Sequence, residues 1–249
     1  MKFRYDLILC LSVVLLAGCQ STSTDPATMF PTASEAQLFK DGQNAMLDGK
    51  YDQSVQYFET LEARYPFGQY TEQAHLDMIY SYYKNDDTSS ALAAADEYIH
   101  LYPREKNVDY AYYMRGMMEY DQNHGSIERY FGMDFAERDL ASVRQAFSDF
   151  NRLLHYFPNS QYAPDTRQRM IYIRNMLARH ELKIANYYFD HQAYVAAANR
   201  ANDIVKHYQA SRSVPDALNV MVKSYRALNL DAQAESALKV LKANYPGYK

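Results

Sequence analysis

Hydrophobic and polar positions alternate along most of this chain with the period of an α-helix. Leu38, Gly42 and Ala45 share one face of a first predicted helix, and Tyr51, Ser54, Val55, Phe58 and Leu61 share one face of a second. Apolar residues at i, i+3, i+4 and i+7 make each helix amphipathic, so each must bury one stripe against a partner. Asp48-Gly49-Lys50 joins the two, and Tyr65-Pro66 closes the unit, because proline cannot continue a helix and restrains the residue before it. The small Gly42 predicts a close approach of the two helices, with Ser54 facing it.

The unit recurs. Closing pairs stand at Tyr65-Pro66, Tyr102-Pro103, Phe157-Pro158, Tyr208-Gln209 and Tyr245-Pro246, with intervals of 37, 55, 51 and 37 residues between their second members. The two longer intervals read as the same unit carrying insertions. Twelve residues before each second member lies a small residue: Ser54, Ala91, Ala146, Ala197 and Ala234. This spacing resembles the tetratricopeptide (TPR) repeat, a helix-turn-helix of roughly 34 residues. The fold expected is all-α, a superhelical array of about five TPR-like helix-turn-helix repeats.

Along the chain, Ser34 with Gln37 three residues later predicts a capped start for the first helix. The second unit is expected from Gln69 or Thr71 to Lys84 and from Ser89 to Leu101, with a turn at Asn85-Asp86-Asp87. The third opens at Asn107 or Val108. Its regular turn is replaced by residues 119–139, which show no clean helical stripe; insertions in repeat proteins map to loops on one face, often a binding face. A helix resumes through Val143, Ala146, Phe150 and Leu153. The fourth unit begins with a long helix from about Pro164 to Phe189, turns at His191-Gln192 and continues from Tyr194. The fifth runs from Pro215 to Tyr225, turns at Asn229-Leu230-Asp231 and ends near Asn244.

The first residues do not fit the array. Lys2 and Arg4 precede an apolar run from Leu7 to Ala17, too short to span a bilayer, that ends in Leu16-Ala17-Gly18-Cys19. This looks like a bacterial lipoprotein signal, which predicts residues 1–18 as a removed signal peptide and Cys19 as the lipidation site. Cys10, the only other cysteine, falls in the removed part, leaving Cys19 without a disulfide partner. Gln20 rather than Asp follows Cys19, which favours the outer membrane. Residues 19–33 are Ser/Thr/Pro-rich and read as a tether, with Met29 and Phe30 placed to pack on the first helix. The net charge of −4 argues against general nucleic-acid binding.

Catalytic signatures are missing. The chain has no P-loop, no Gly-rich dinucleotide fingerprint and no G-x-S-x-G elbow. His180-Glu181 lacks the second histidine of a zinc motif, since Ile184 occupies that place. The seven histidines are scattered and read as surface or interface residues. No cofactor, no metal and no enzymatic activity are expected. The unusual feature is 25 tyrosines, residues suited to half-buried grooves and interfaces. Most are expected in helix–helix seams, although adjacent pairs such as Tyr82-Tyr83, Tyr112-Tyr113 and Tyr187-Tyr188 leave one ring free to face outward.

Longer local matches make the likeness specific. Besides LAGC, they include ARYPFGQY at 63–70, DMIYSYYKNDD at 77–87, DYAYYMRG at 109–116, YFGMDFAERD at 130–139, RQAFSDF at 144–150, FPNSQY at 157–162 and AYVAAANR at 193–200. Together they resemble the BamD family, the TPR lipoproteins of the outer-membrane β-barrel assembly (BAM) machinery. The resemblance implies a non-enzymatic scaffold on the periplasmic face of the outer membrane. It implies that repeats 1–3, residues 34–158, receive the C-terminal strand of unfolded barrel precursors, with Tyr65, Phe67, Gly68 and Tyr70 in the matching segment and Tyr51 where other members carry Trp. It implies that repeats 4–5, residues 159–249, bind the POTRA region of BamA through Arg200. Accessory lipoproteins of the BamC and BamE types are implied partners, with Tyr130, Phe131 and Asp134 on the BamC side. Two rivals remain at this point: a TPR lipoprotein coordinating peptidoglycan or division enzymes, and a hydrolase built on the 119–139 insertion.

Overall fold

The computed structural model describes residues 25–121 and 140–248. Within them the chain forms α1 (Glu35–Leu47), α2 (Tyr51–Arg64), α3 (Thr71–Lys84), α4 (Thr88–Leu101), α5 (Val108–Asp121), α6 (Ala141–Tyr156), α7 (Ala163–Asp190), α8 (Tyr194–His207), α9 (Val214–Ala227) and α10 (Asp231–Asn244). Paired as α1/α2, α3/α4, α5/α6, α7/α8 and α9/α10, these are the five expected units, each packed on the next. The array is TPR-like. None of these helices is long and apolar enough to cross a membrane.

The repeated small residue has a clear physical role. Ser54, Ala91, Ala146, Ala197 and Ala234 are all 0 % exposed, each near the start of the second helix of its unit. A larger side chain there would hold the two helices apart. In the first unit Ser54 Oγ donates to the Gly42 carbonyl at 2.9 Å and lies 3.0 Å from Ser81 Oγ, tying α2 to α1 and α3. The Phe58 ring fills the space beside Gly42, where an added Cβ would stand 2.5 Å from it.

The turns and closures repeat as well. Gly49, Asp86, Gln192 and Asn229 occupy the turn of units 1, 2, 4 and 5 with φ of 75°, 58°, 62° and 57°. The following N–H reaches back to a carbonyl of the last helical turn, as Lys50 does to Ala45 and Leu230 to Tyr225, the hydrogen-bond pattern of a Schellman cap. Only Gly49 adopts this left-handed geometry without steric cost. At the other end of each unit, Tyr65, Tyr102, Phe157, Tyr208 and Tyr245 all sit as C-caps with φ between −122° and −134°. Each donates its N–H to the helix it ends and accepts from the N–H three residues on. The aromatic-proline pair is therefore a backbone device first.

Near the N-terminus, Ser34 caps α1 by accepting from the Gln37 N–H at 3.3 Å. The reciprocal half of a capping box does not form, because the Gln37 side chain donates to Asp41. Phe30 stacks on Tyr57 of α2, with ring centroids 4.4 Å apart. That places the preceding segment on the second helix of the unit rather than on the first. The core is continuous in α1–α5, around Leu38, Phe58, Ile79 and Tyr98, and again in the C-terminal half of α7 through α10. Between them α6 and the first half of α7 bury Val143, Phe150, Ile173 and Met176. The 28-residue α7 thus contributes to two clusters.

Candidate functional site

Four of the expected peptide-contact residues lie on one loop between α2 and α3, which is pinned from several sides. Tyr65 donates its hydroxyl to the Ala33 carbonyl, and the Arg64 guanidinium lies 5.3 Å from its ring centroid. Arg64 itself donates to the Phe30 carbonyl at 2.5 Å, so the segment before α1 and the loop are clamped together. The Tyr65 carbonyl accepts from Gly68 N–H at 2.9 Å and from Thr71 Oγ1 at 2.5 Å. Tyr70 donates its N–H to Glu35 Oε1 at 2.8 Å and stacks on Phe39 at 4.8 Å. Gly68 is needed for this: a Cβ there would overlap the Glu35 carboxylate.

Phe67 alone is left out, and it is 100 % exposed. Burying a phenylalanine side chain is worth about 1.5–3 kcal/mol, which this loop forgoes while Tyr65, Gly68 and Tyr70 are anchored. A rigid loop presenting one bare aromatic ring is suited to seat an apolar partner group.

Tyr51 belongs elsewhere. It opens α2, whereas Tyr65 follows the end of that helix, and fourteen residues at 1.5 Å each separate them by roughly 20 Å. Its ring meets Tyr80 of α3 edge-on, with centroids 6.3 Å apart.

At the other candidate position, Arg200 of α8 donates to Glu181 Oε2 of α7 at 3.0 Å. Arg144 of α6 donates to the other oxygen at 3.4 Å. The Glu181 side chain is 11 % exposed, while those of Arg200 and Arg144 are 44 % and 49 % exposed. One buried carboxylate thus orders two half-exposed guanidinium groups and leaves one positive charge in excess. Each arginine keeps unused donors for an incoming acid.

A family model described as YfiO, outer membrane lipoprotein, matches residues 31–241. The "Outer membrane protein assembly factor BamD" of Vibrio cholerae serotype O1 is 35% identical over 234 residues, covering 94% of this chain and 95% of that protein. Those of Haemophilus influenzae and Pasteurella multocida are each 36% identical, covering 96% and 98% of this chain and 90% of theirs. The chain belongs to the BamD family. Among solved structures it is similar to MamA and to a thermophilic TPR protein of Thermus thermophilus, at 12% and 14% identity and TM-scores of 0.37 and 0.38. These alignments cover 86% of this chain and 97% and 93% of theirs.

Of the residues that BamD resemblance singled out, Cys19, Tyr130, Phe131 and Asp134 lie outside the described residues. Sequence reasoning missed Glu35, Glu181 and Arg144, each of which acts only through a partner far along the chain. It also missed His75, which this BamD-family chain buries to 1 % exposure. Among the described residues no group of three or more His, Cys, Asp or Glu is arranged to hold a metal.

His75 is expected to make the stability of the first units depend on pH. Its Nε2 lies 2.9 Å from the Ala94 carbonyl and its Nδ1 lies 3.1 Å from Glu62 Oε1. Both neighbours are acceptors, so only the imidazolium offers each a proton. Burial alone lowers the pKa, but Glu62, the Ala94 carbonyl and Glu97 outweigh it and hold the value above the ordinary 6.5. A pKa raised on folding stabilises fully below the unfolded value, and that contribution fades as pH rises through the folded value. Urea unfolding should therefore show wild type losing stability from pH 6 to pH 8.5 by more than His75→Gln loses. Equal pH slopes would refute the charged pair.

Proposed function

We propose that this chain is a non-enzymatic scaffold of the BAM machinery, anchored by lipid on Cys19 at the periplasmic face of the outer membrane. Its loop at residues 65–70 takes the C-terminal signal of unfolded β-barrel precursors, and its C-terminal half binds the POTRA region of BamA through Arg200. BamC- and BamE-type lipoproteins complete its partners. Membership of a family whose curated members are named outer membrane protein assembly factors supports the assembly role. The observation that carries the substrate contact is Phe67, bare at the tip of a pinned loop.

The ring supplies an apolar seat for a terminal aromatic residue, and the anchored backbone around it removes the ordering cost that a loose loop would incur. Phe67→Ala is expected to weaken binding of a peptide from a barrel C-terminus about tenfold, in a fluorescence-polarisation titration. Helicity and melting should not change, since the ring contributes nothing to the core. Unchanged affinity would place the substrate contact elsewhere.

A further inference from the structure

We propose that the groove between α1, α3, α5 and the residues leading into α7 is a second polypeptide contact that takes a cationic side chain, arginine above all. Asp77 serves as its counter-ion, and Tyr80, Tyr110 and Tyr162 form its walls. The groove has a volume near 390 Å³ and draws on the first helices of three successive units plus Tyr162 before the fourth. It therefore runs along the array, as an extended chain would. The inference rests on the reading that this protein receives unfolded polypeptide, but on none of the residues of the Phe67 loop.

The carboxylate of Asp77 faces only neutral donors. Gln73 of its own helix donates to Oδ1 at 2.8 Å, and Gln43 of α1 donates to Oδ2 at 3.1 Å. Among the described residues it makes no ion pair. A carboxylate withdrawn from water and matched only by amides is incompletely compensated. Burial accordingly pushes its pKa up, against the two glutamine hydrogen bonds. The glutamines meanwhile hold the carboxylate in place, so a cation would find it ordered.

The walls suit the same ligand. Tyr162 packs on Tyr110 at 5.7 Å and stacks on Tyr113 at 4.7 Å, and Tyr113 donates its hydroxyl to Asp165 at 2.8 Å. Tyr51, remote from the Phe67 loop, extends the wall behind Tyr80. Tyrosine faces attract cations, and a guanidinium can stack on a ring while donating to a carboxylate, which a lysine ammonium does less well. A neutral side chain of the same shape would keep the stacking and a hydrogen bond to the carboxylate but lose the charge that strengthens both.

The test uses the full chain in detergent micelles and two fluorescent peptides, acetyl-Gly-Tyr-Arg-Tyr-Gly-amide and its citrulline counterpart, which differs only in lacking the charge. The arginine peptide should bind at least fivefold more tightly to the wild-type chain. Asp77→Asn, which preserves shape and keeps both hydrogen bonds once one glutamine amide turns over to present its oxygen, should abolish the difference, with an unchanged circular-dichroism melt. Phe67→Ala should leave the difference intact, so a failed Phe67 loop and a failed groove give separate results. Equal binding of the two peptides, no binding of either, or a preference that survives Asp77→Asn would each overturn the proposal.

Discussion

Phe150→Ala is expected to destabilise the protein by about 3–5 kcal/mol, the cost of removing a buried phenylalanine and leaving its cavity. Phe150 is 0 % exposed, and its ring occupies the space that Gly116 of α5 leaves open. The same exchange of volume joins Phe58 to Gly42 in the first unit. In Phe150→Ala the melting temperature should fall by roughly 10 °C. Gly116→Ala should also destabilise, by about 1–3 kcal/mol, since its methyl group would overlap the ring. The double variant Gly116→Ala with Phe150→Leu should recover at least half of that loss, because the smaller side chain makes room. A cost below about 1 kcal/mol for Phe150→Ala would mean that the two helices do not interlock here.

Why the array was legible and the sites only partly so follows from the range of the interactions. Ser54, Ala91, Ala146, Ala197 and Ala234 report a contact inside one unit, twelve residues from their closing position, and repetition exposes them. Helix ends fell within a few residues of expectation because proline, glycine and the amphipathic stripe act locally. The left-handed Asp86, Gln192 and Asn229 were not visible as such, since only Gly49 announces that backbone by its side chain. The separation of Tyr51 from Tyr65 was calculable from helical rise alone. The segment around Phe67 carries both a structural and a binding reading, and the exposure of its ring, which no local pattern encodes, leaves that side chain out of the structural one. Glu35 beside Gly68, Glu181 between two arginines and Asp77 in its groove all depend on helices brought together across units. Such juxtapositions leave no periodic trace.

For Arg200, Glu181 changes how the proposed BamA contact must be tested. Arg200→Glu would set a second carboxylate beside a nearly buried one, with Arg144 the remaining partner of the triad. The local charge would shift from one positive in excess to one negative. Two like charges near 4 Å repel by up to about 4 kcal/mol at the effective dielectric of a protein surface, so part of any lost binding would reflect a disturbed α7/α8 pair. Arg200→Gln separates the two effects. The amide can still donate to Glu181, and Arg144 still compensates its charge, so stability should fall by less than about 1 kcal/mol. Affinity for a purified POTRA fragment of BamA should nevertheless drop at least tenfold, about 1.4 kcal/mol, because a charge-assisted pair is lost. Arg144→Gln is the matched control: it removes the other arginine of the triad and the same net charge. If Arg200 makes the contact, Arg144→Gln should leave the affinity within twofold. Equal losses in the two variants would mean that BamA senses the excess charge and not the guanidinium of Arg200. An undiminished affinity in Arg200→Gln would leave Arg200 with a structural task only, bracing α8 against the buried Glu181.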